Sequence, residues 1–219
     1  MTVRTQTFAV APFGIVLLAM FGLSLSQGDE YSYATELISV VVLTIPVIAA
    51  WKNLISLPWI LTAGIGFALA LHSFGLVTNY YNTTDIFGYM THFVSGVVVA
   101  WVLATAMVVV MYYDTSIHIP IKWMVFFIFI GVIALEGFWK IFEFTADQTI
   151  GTMMQHGLDD TMYDNLTDTI AGLVSGIWVA AYVGRVSVEG FVSRLGLERI
   201  DAWLSVHLGG IPAKADEQA

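Results

Sequence analysis

Within a 33-residue stretch, an otherwise apolar chain sets seven ionisable residues at helical intervals: Glu136, Lys140, Glu143 and Asp147, then Asp160, Asp164 and Asp168. The first four are spaced +4, +3, +4, which keeps them on one face of a helix. The last three are spaced by four and share a face if helical. Asn165 lies beside them, and His92 and His72 occur upstream. Carboxylates gathered in a low-dielectric setting need a bound cation, protons or water to compensate their charge. Carboxylates with one or two imidazoles suit hard or borderline divalent cations, namely Mg²⁺, Mn²⁺, Ca²⁺ or Zn²⁺. The expected ligand set is His92, Glu136, Glu143, Asp164 and Asp168, with Glu143 and Asp168 as candidate catalytic carboxylates. Lys140, Asp160, Asn165, Asp147 and His72 complete the polar candidates.

The elements that must hold these groups are membrane helices. The chain has 219 residues, 58% hydrophobic and only 11% charged, with a mean hydropathy of +0.79. Soluble domains carry about 25% charged residues. Six apolar runs approach the roughly 20 residues needed to cross about 30 Å of hydrocarbon: Phe8–Ser26, Thr35–Trp51, Ile55–Val77, Gly88–Tyr112, Ile121–Asp147 and Asp164–Val186. The first is longer than the apolar core of a signal peptide and is read as a retained helix. The expected fold is all-α: residues 1–186 form a six-helix transmembrane bundle. Residues 187–210 form an amphipathic interfacial helix weakened at Gly196, and 211–219 form a polar tail.

The basic residues fix an expected orientation. Arg4, Lys52, Lys122, Arg185, Arg194, Arg199 and Lys214 fall in the N-terminal tail, the even loops and the C-terminal region, while the odd loops contain no Lys or Arg. The positive-inside rule then makes both termini cytoplasmic in a multi-pass protein of the cell membrane. The inner side has a formal charge of +1 and the outer half −10, together the −9 of the whole chain. Both acidic stripes, His92 and His72 fall in the outer half, with Asp85 and Glu36 at the mouths of spans four and two. Independent spans delivering polar groups to one depth is the pattern of an intramembrane site, because such groups are costly in hydrocarbon. His156 and Asp159 are expected in a solvated loop, and His118 and His207 on the opposite side.

Other chemistries are excluded. The chain has no cysteine, hence no disulfide and no thiolate ligand or nucleophile. A net charge of −9 repels nucleic acid. No phosphate-binding glycine loop, His-Glu-x-x-His helix or Gly-x-Ser-x-Gly elbow occurs. Glu-x-x-His pairs are also absent, which weakens a di-iron reading.

The series Asp85-x6-His92-x3-Gly96, Trp139-Lys140-x-x-Glu143 and Asp160-Thr161-x-x-Asp164-x3-Asp168-x3-Gly172 resembles the YjdF-like family of small multi-pass membrane proteins. The resemblance covers residues 85–176 and implies a shared polar site, in a family largely uncharacterised. One position departs from it: Lys140 stands where the family pattern has the first Glu of a Glu-x-x-Glu pair, with Glu136 one turn away as a substitute. That replacement favours one cation, or a salt-bridged remnant, over two metals.

Three functions fit these residues. The first is a divalent-cation site that acts on a lipid-like substrate near the outer leaflet. The second is a non-catalytic subunit or assembly factor, with a membrane-protein partner or a second copy of the chain. The third is a cation- or proton-coupled transporter.

Overall fold

A computed structural model describes residues 3–114, 116–152, 154–155, 157–197 and 200, with the side chain of Asp85 left undescribed. Among these residues the fold is all-helical: α1 (Val3–Gln27), α2 (Glu30–Trp51), α3 (Trp59–Val77), α4 (Asp85–Tyr113), α5 (Ile121–Ile150), α6 (Leu158–Val186) and α7 (Val188–Val192). One 3-10 turn, Tyr80–Asn82, lies between α3 and α4. The first six helices are each long and apolar enough to cross a bilayer.

Several helices extend beyond their apolar runs, for local reasons. Asp29 caps α2, its carboxylate accepting the Ser32 amide at 3.1 Å and the Ser32 hydroxyl at 2.6 Å. The helix therefore starts at Glu30 rather than Thr35. Helix α6 starts at Leu158, which takes in Asp159 and Asp160 where their charge suits a helix N-terminus. Helix α5 runs on to Ile150 and ends at Gly151, whose φ of 72° costs glycine nothing and strains most other residues. Pro58 precedes α3 and delays its start to Trp59.

The helices pack as two consecutive groups of three, α1–α2–α3 and α4–α5–α6, joined along α3 and α4. Within the second group each helix presents one buried stripe. On α5 it comprises Met124, Ile128, Val132, Glu136, Lys140 and Glu143. On α6 it runs from Asp164 and Asp168 through Gly172, Ser175 and Gly176 to Val179 and Val183. On α4, Ala100, Ala104 and Val108 are wholly buried at intervals of four, and the same interval carried backwards reaches Gly96 and His92. The interior is thus apolar towards the end that carries the termini and ionic towards the other. The reverse faces carry Phe138, 69% exposed, and Trp178, 60% exposed. Large apolar side chains on the outside of long helices are what hydrocarbon solvates.

Small residues set the spacing. A Cβ on Gly176 would lie 3.2 Å from the backbone oxygen of Val125, and one on Gly172 would lie 3.0 Å from the Cβ of Val132. Close approach of α5 and α6 follows from these two positions.

Beyond α6 the described residues of the expected interfacial segment include the short helix α7. Phe191, Val192, Leu195 and Leu197 are buried against the apolar core formed by α4, α5 and α6. The Ser56 amide also donates to the Leu195 carbonyl, which ties this segment to the α2–α3 connection. Residues 198, 199 and 201–219, including His207, lie outside the described residues. Near the termini, Gln6 of α1 is fully buried, accepts from Thr62 Oγ1 of α3 and donates to the Leu57 carbonyl.

Candidate functional site

The buried stripes of α4, α5 and α6 meet at their ionic ends. His92 projects from the second turn of α4 and is gripped at both ring nitrogens. Nδ1 lies 2.9 Å from Asp168 Oδ2, and Nε2 lies 3.2 Å from Asp164 Oδ2. Two aspartates four apart on α6 reach one imidazole because they stand one above the other on the same helical face. The same Asp164 oxygen lies 2.8 Å from Lys140 Nζ, which lies 2.9 Å from Glu143 Oε2. A continuous ionic chain results: Asp168, His92, Asp164, Lys140, Glu143. All four acids of the cluster, and Lys140, are at least nine-tenths buried.

Glu136 closes the cluster on the Asp168 side. One ligand atom from each of His92, Glu136 and Asp168 lies within 4.8 Å of the other two. The second oxygen of Asp168, Oδ1, is buried without a hydrogen-bond partner. Two carboxylates at this separation, facing one imidazole, repel each other unless a proton or a cation lies between them. Glu143 Oε2 sits at ion-pair distance from Lys140 but lacks hydrogen-bond geometry.

Close approach at Gly96 makes the arrangement possible. A Cβ on Gly96 would fall 2.9 Å from the Cβ of Ala171 and 3.2 Å from Asp168 Oδ1. The glycine four residues after His92 is the hollow into which the Asp168 turn of α6 packs.

The remaining sequence candidates separate from this centre. Asp147 is half-buried and folds the α5–α6 connection around itself. Its carboxylate accepts from Thr152 Oγ1 and from the amides of Met154 and Gln155. Asn165 donates back to the Thr161 carbonyl of its own helix. Asp160 is half-buried in the first turn of α6, one turn before Asp164, and Asp159 beside it is exposed. His72 Nδ1 pairs with the Tyr81 hydroxyl at 3.0 Å. His156 lies outside the described residues.

Three features escape sequence reasoning. Tyr81, in the 3-10 turn, pairs with His72 and packs its ring against Phe87, and the charges of Asp164 and Glu143 act on it. Burial holds its phenol above the usual value. Its ring fits because Gly75 offers no side chain there. Tyr31, at the start of α2, lies within reach of the charges of Glu143 and Asp147. Glu36 is not at a mouth: it is fully buried, accepts the Ser73 hydroxyl of α3, and leaves Oε1 without a partner. The earlier start of α2 carries Glu36 inside the bundle. Only a better boundary for α2 would have signalled that from sequence.

The cluster offers one imidazole, two facing carboxylates and an adjoining ion-paired Lys–acid group. No curated protein and no solved structure matches the chain. The family described as predicted membrane protein (DUF2238) matches residues 8–185, a span that contains every residue of the cluster. The chain is an integral membrane protein of that family, in keeping with its YjdF-like resemblance.

Proposed function

We propose that the cluster binds a single divalent cation through His92, Glu136 and Asp168. The observation that carries this reading is the convergence of three ligand atoms within 4.8 Å, two of them on buried carboxylates, beside the unpartnered Asp168 Oδ1. A cation there would take the place of the Nδ1 contact to Asp168. The Nε2–H would still donate to Asp164, the orienting bond that metal-bound imidazoles usually keep. Asp164 and Glu143 then serve as partners of Lys140 rather than as ligands, and Lys140 neutralises the half of the cluster that the cation does not reach. An imidazole with two carboxylates suits Mn²⁺ or Zn²⁺ better than Mg²⁺ or Ca²⁺.

The reading extends to chemistry on a lipid-like substrate. With the termini cytoplasmic, as the distribution of Lys and Arg supports, the cluster lies in the outer half of the bilayer. A cation held by His92, Glu136 and Asp168 would supply Lewis-acid polarisation of an ester or phosphoryl oxygen, and Glu143 is the candidate base.

The test is cation-dependent melting of the purified protein, with metal content measured in parallel. Mn²⁺ or Zn²⁺ at 100 times its dissociation constant stabilises a one-site protein by about 2.7 kcal/mol. The shift should vanish in Glu136→Gln and Asp168→Asn. A wild-type protein that neither retains nor responds to either cation sinks the proposal.

A second reading, a subunit or assembly factor, draws on the Lys140 bridge between α5 and α6, since such pairs also serve helix association. Isolation of the protein alone after mild solubilisation counts against it. A transport role is less supported. From Val132 on α5 and Gly172 on α6 towards the ends near the termini, the described buried stripes carry no ionisable group that would extend a path.

A further inference from the structure

Among the described residues, Glu36 is the one acid or base wholly buried in the first three-helix group. It stands about 9 Å along α2 from Glu30, at roughly 1.5 Å per residue. The Ser73 hydroxyl of α3 contacts its Oε2, and Ser73 is wholly buried too. The other oxygen, Oε1, is buried with no hydrogen-bonding group beside it.

Among the described residues no charged group answers this carboxyl. The helices packed against α2 are α1 and α3. After Arg4, at its far end, α1 carries no ionisable residue. The one ionisable residue of α3 is His72, whose Nδ1 is taken up by the Tyr81 hydroxyl. On α2 itself, Glu30 is exposed, and Tyr31 and Tyr33 are half-buried nearer the helix start. Tyr31 answers to the charges of Glu143 and Asp147 instead. Lys52 caps the opposite end of α2. Ser73 is the group that acts on the Glu36 carboxyl.

An ionised carboxylate here would keep a full charge out of water with a single hydroxyl to meet it, and hydrocarbon surroundings make that costly. A proton on Oε2 accounts for both oxygens. The acid O–H then donates to Ser73 Oγ, since a hydroxyl accepts as well as donates. Oε1 becomes a neutral carbonyl oxygen, which costs less to leave unpaired than a charged one. A metal cation is a poorer answer, because hard cations gather about six oxygens and this carboxyl has one hydroxyl beside it. We propose that Glu36 is a proton-binding site: a neutral carboxylic acid inside α1–α2–α3, its proton held between Oε2 and Ser73 Oγ. The site stands apart from the cation cluster, because both of its residues belong to the first group of helices.

Infrared difference spectroscopy of the purified full-length protein at neutral pH tests it, wild type against Glu36→Gln. The difference should show the loss of one protonated-carboxyl carbonyl band and no loss of a carboxylate band. Gln has the shape of the neutral acid, and its amide donates to Ser73 Oγ as the acid O–H does. The variant should therefore fold and melt at the wild-type temperature. Addition of NaCl should leave the acid band of the wild type in place. Loss of a carboxylate band in Glu36→Gln overturns the proposal. Disappearance of the acid band in NaCl overturns it as well, because Na⁺ would then be the ligand. If Glu36→Gln does not fold, Ser73→Ala takes its place. Removal of the acceptor should shift the acid band without abolishing it, and a spectrum with no such shift overturns the site.

Discussion

Asp168 Oδ2 lies 2.9 Å from His92 Nδ1, a contact that joins α4 to α6 at the buried cluster. Its neighbours on α6 and α5 are arranged around it. Asp164 takes the other ring nitrogen, Lys140 takes Asp164, and Glu143 takes Lys140. The cluster is an ordered chain of acid–base contacts that Glu136 closes beside Asp168.

Lys140 is the hinge of that chain. Lys140→Met would leave Asp164 and Glu143 buried without their cation, at a cost of about 3–5 kcal/mol. Adding Asp164→Asn should recover part of the loss. Melting of the two single variants and the double in one detergent gives the coupling energy, and additive losses would deny that the pair interacts.

Gly96→Ala should cost about 1–3 kcal/mol, because the new methyl overlaps Ala171 and crowds Asp168 Oδ1. Ala171→Gly in the same chain should restore most of the stability by reopening the space between α4 and α6. A Gly96→Ala protein as stable as the wild type, with its cation response intact, would show that α6 moves aside freely.

The buried Gln6–Thr62 pair predicts a non-additive cycle. Gln6→Leu removes the donor to the Leu57 carbonyl and leaves the Thr62 hydroxyl its longer contact to the Pro58 carbonyl at 3.4 Å, and Thr62→Val removes the hydroxyl that Gln6 Oε1 accepts. Each should cost about 1–3 kcal/mol. The double variant should cost less than the sum, as read from chemical denaturation in detergent.

Asp29 supplies a pH-dependent term. The Ser32 hydroxyl and amide hold its carboxylate below the ordinary aspartate value. A depressed folded pKa gives stability that is present above the unfolded value, near 3.8, and lost as pH falls through the lower folded value. The exposed position limits the effect to about 0.5–1 kcal/mol. Comparing wild type with Asp29→Asn cancels the other carboxylates. The difference in melting temperature should be constant above pH 5 and shrink below the unfolded value. A difference that does not change with pH would remove the charge from the explanation.

Much of this protein is legible in its sequence. Apolar runs of about 20 residues have no alternative to a membrane helix, since only a helix satisfies every backbone hydrogen bond within hydrocarbon. The helical repeat likewise dictates that Glu136, Lys140 and Glu143 share a face, as do Asp164 and Asp168. Both stripes are buried as that spacing requires. Helix starts were less legible, because caps such as Asp29–Ser32 extend a helix beyond its apolar run.

What periodicity cannot supply is the rotation and separation of neighbouring helices, and those decided the site. Five ligands were expected; among the described residues His92, Glu136 and Asp168 each bring one ligand atom within 4.8 Å of the other two, while Asp164 contacts both His92 and Lys140, and Glu143 contacts Lys140. The division arises from packing: the hollow at Gly96 draws Asp168 towards α4, and Gly172 and Gly176 draw α5 against α6. Tyr81 came to pair with His72, and Asp147 with the α5–α6 connection, through loops whose paths no spacing encodes. The sequence by itself determined which side chains face inward and in which half of the bundle, because the 3.6-residue repeat and the bilayer's thickness leave little choice. Tertiary structure alone decided which of those side chains touch, because contact depends on fractions of an ångström between helices.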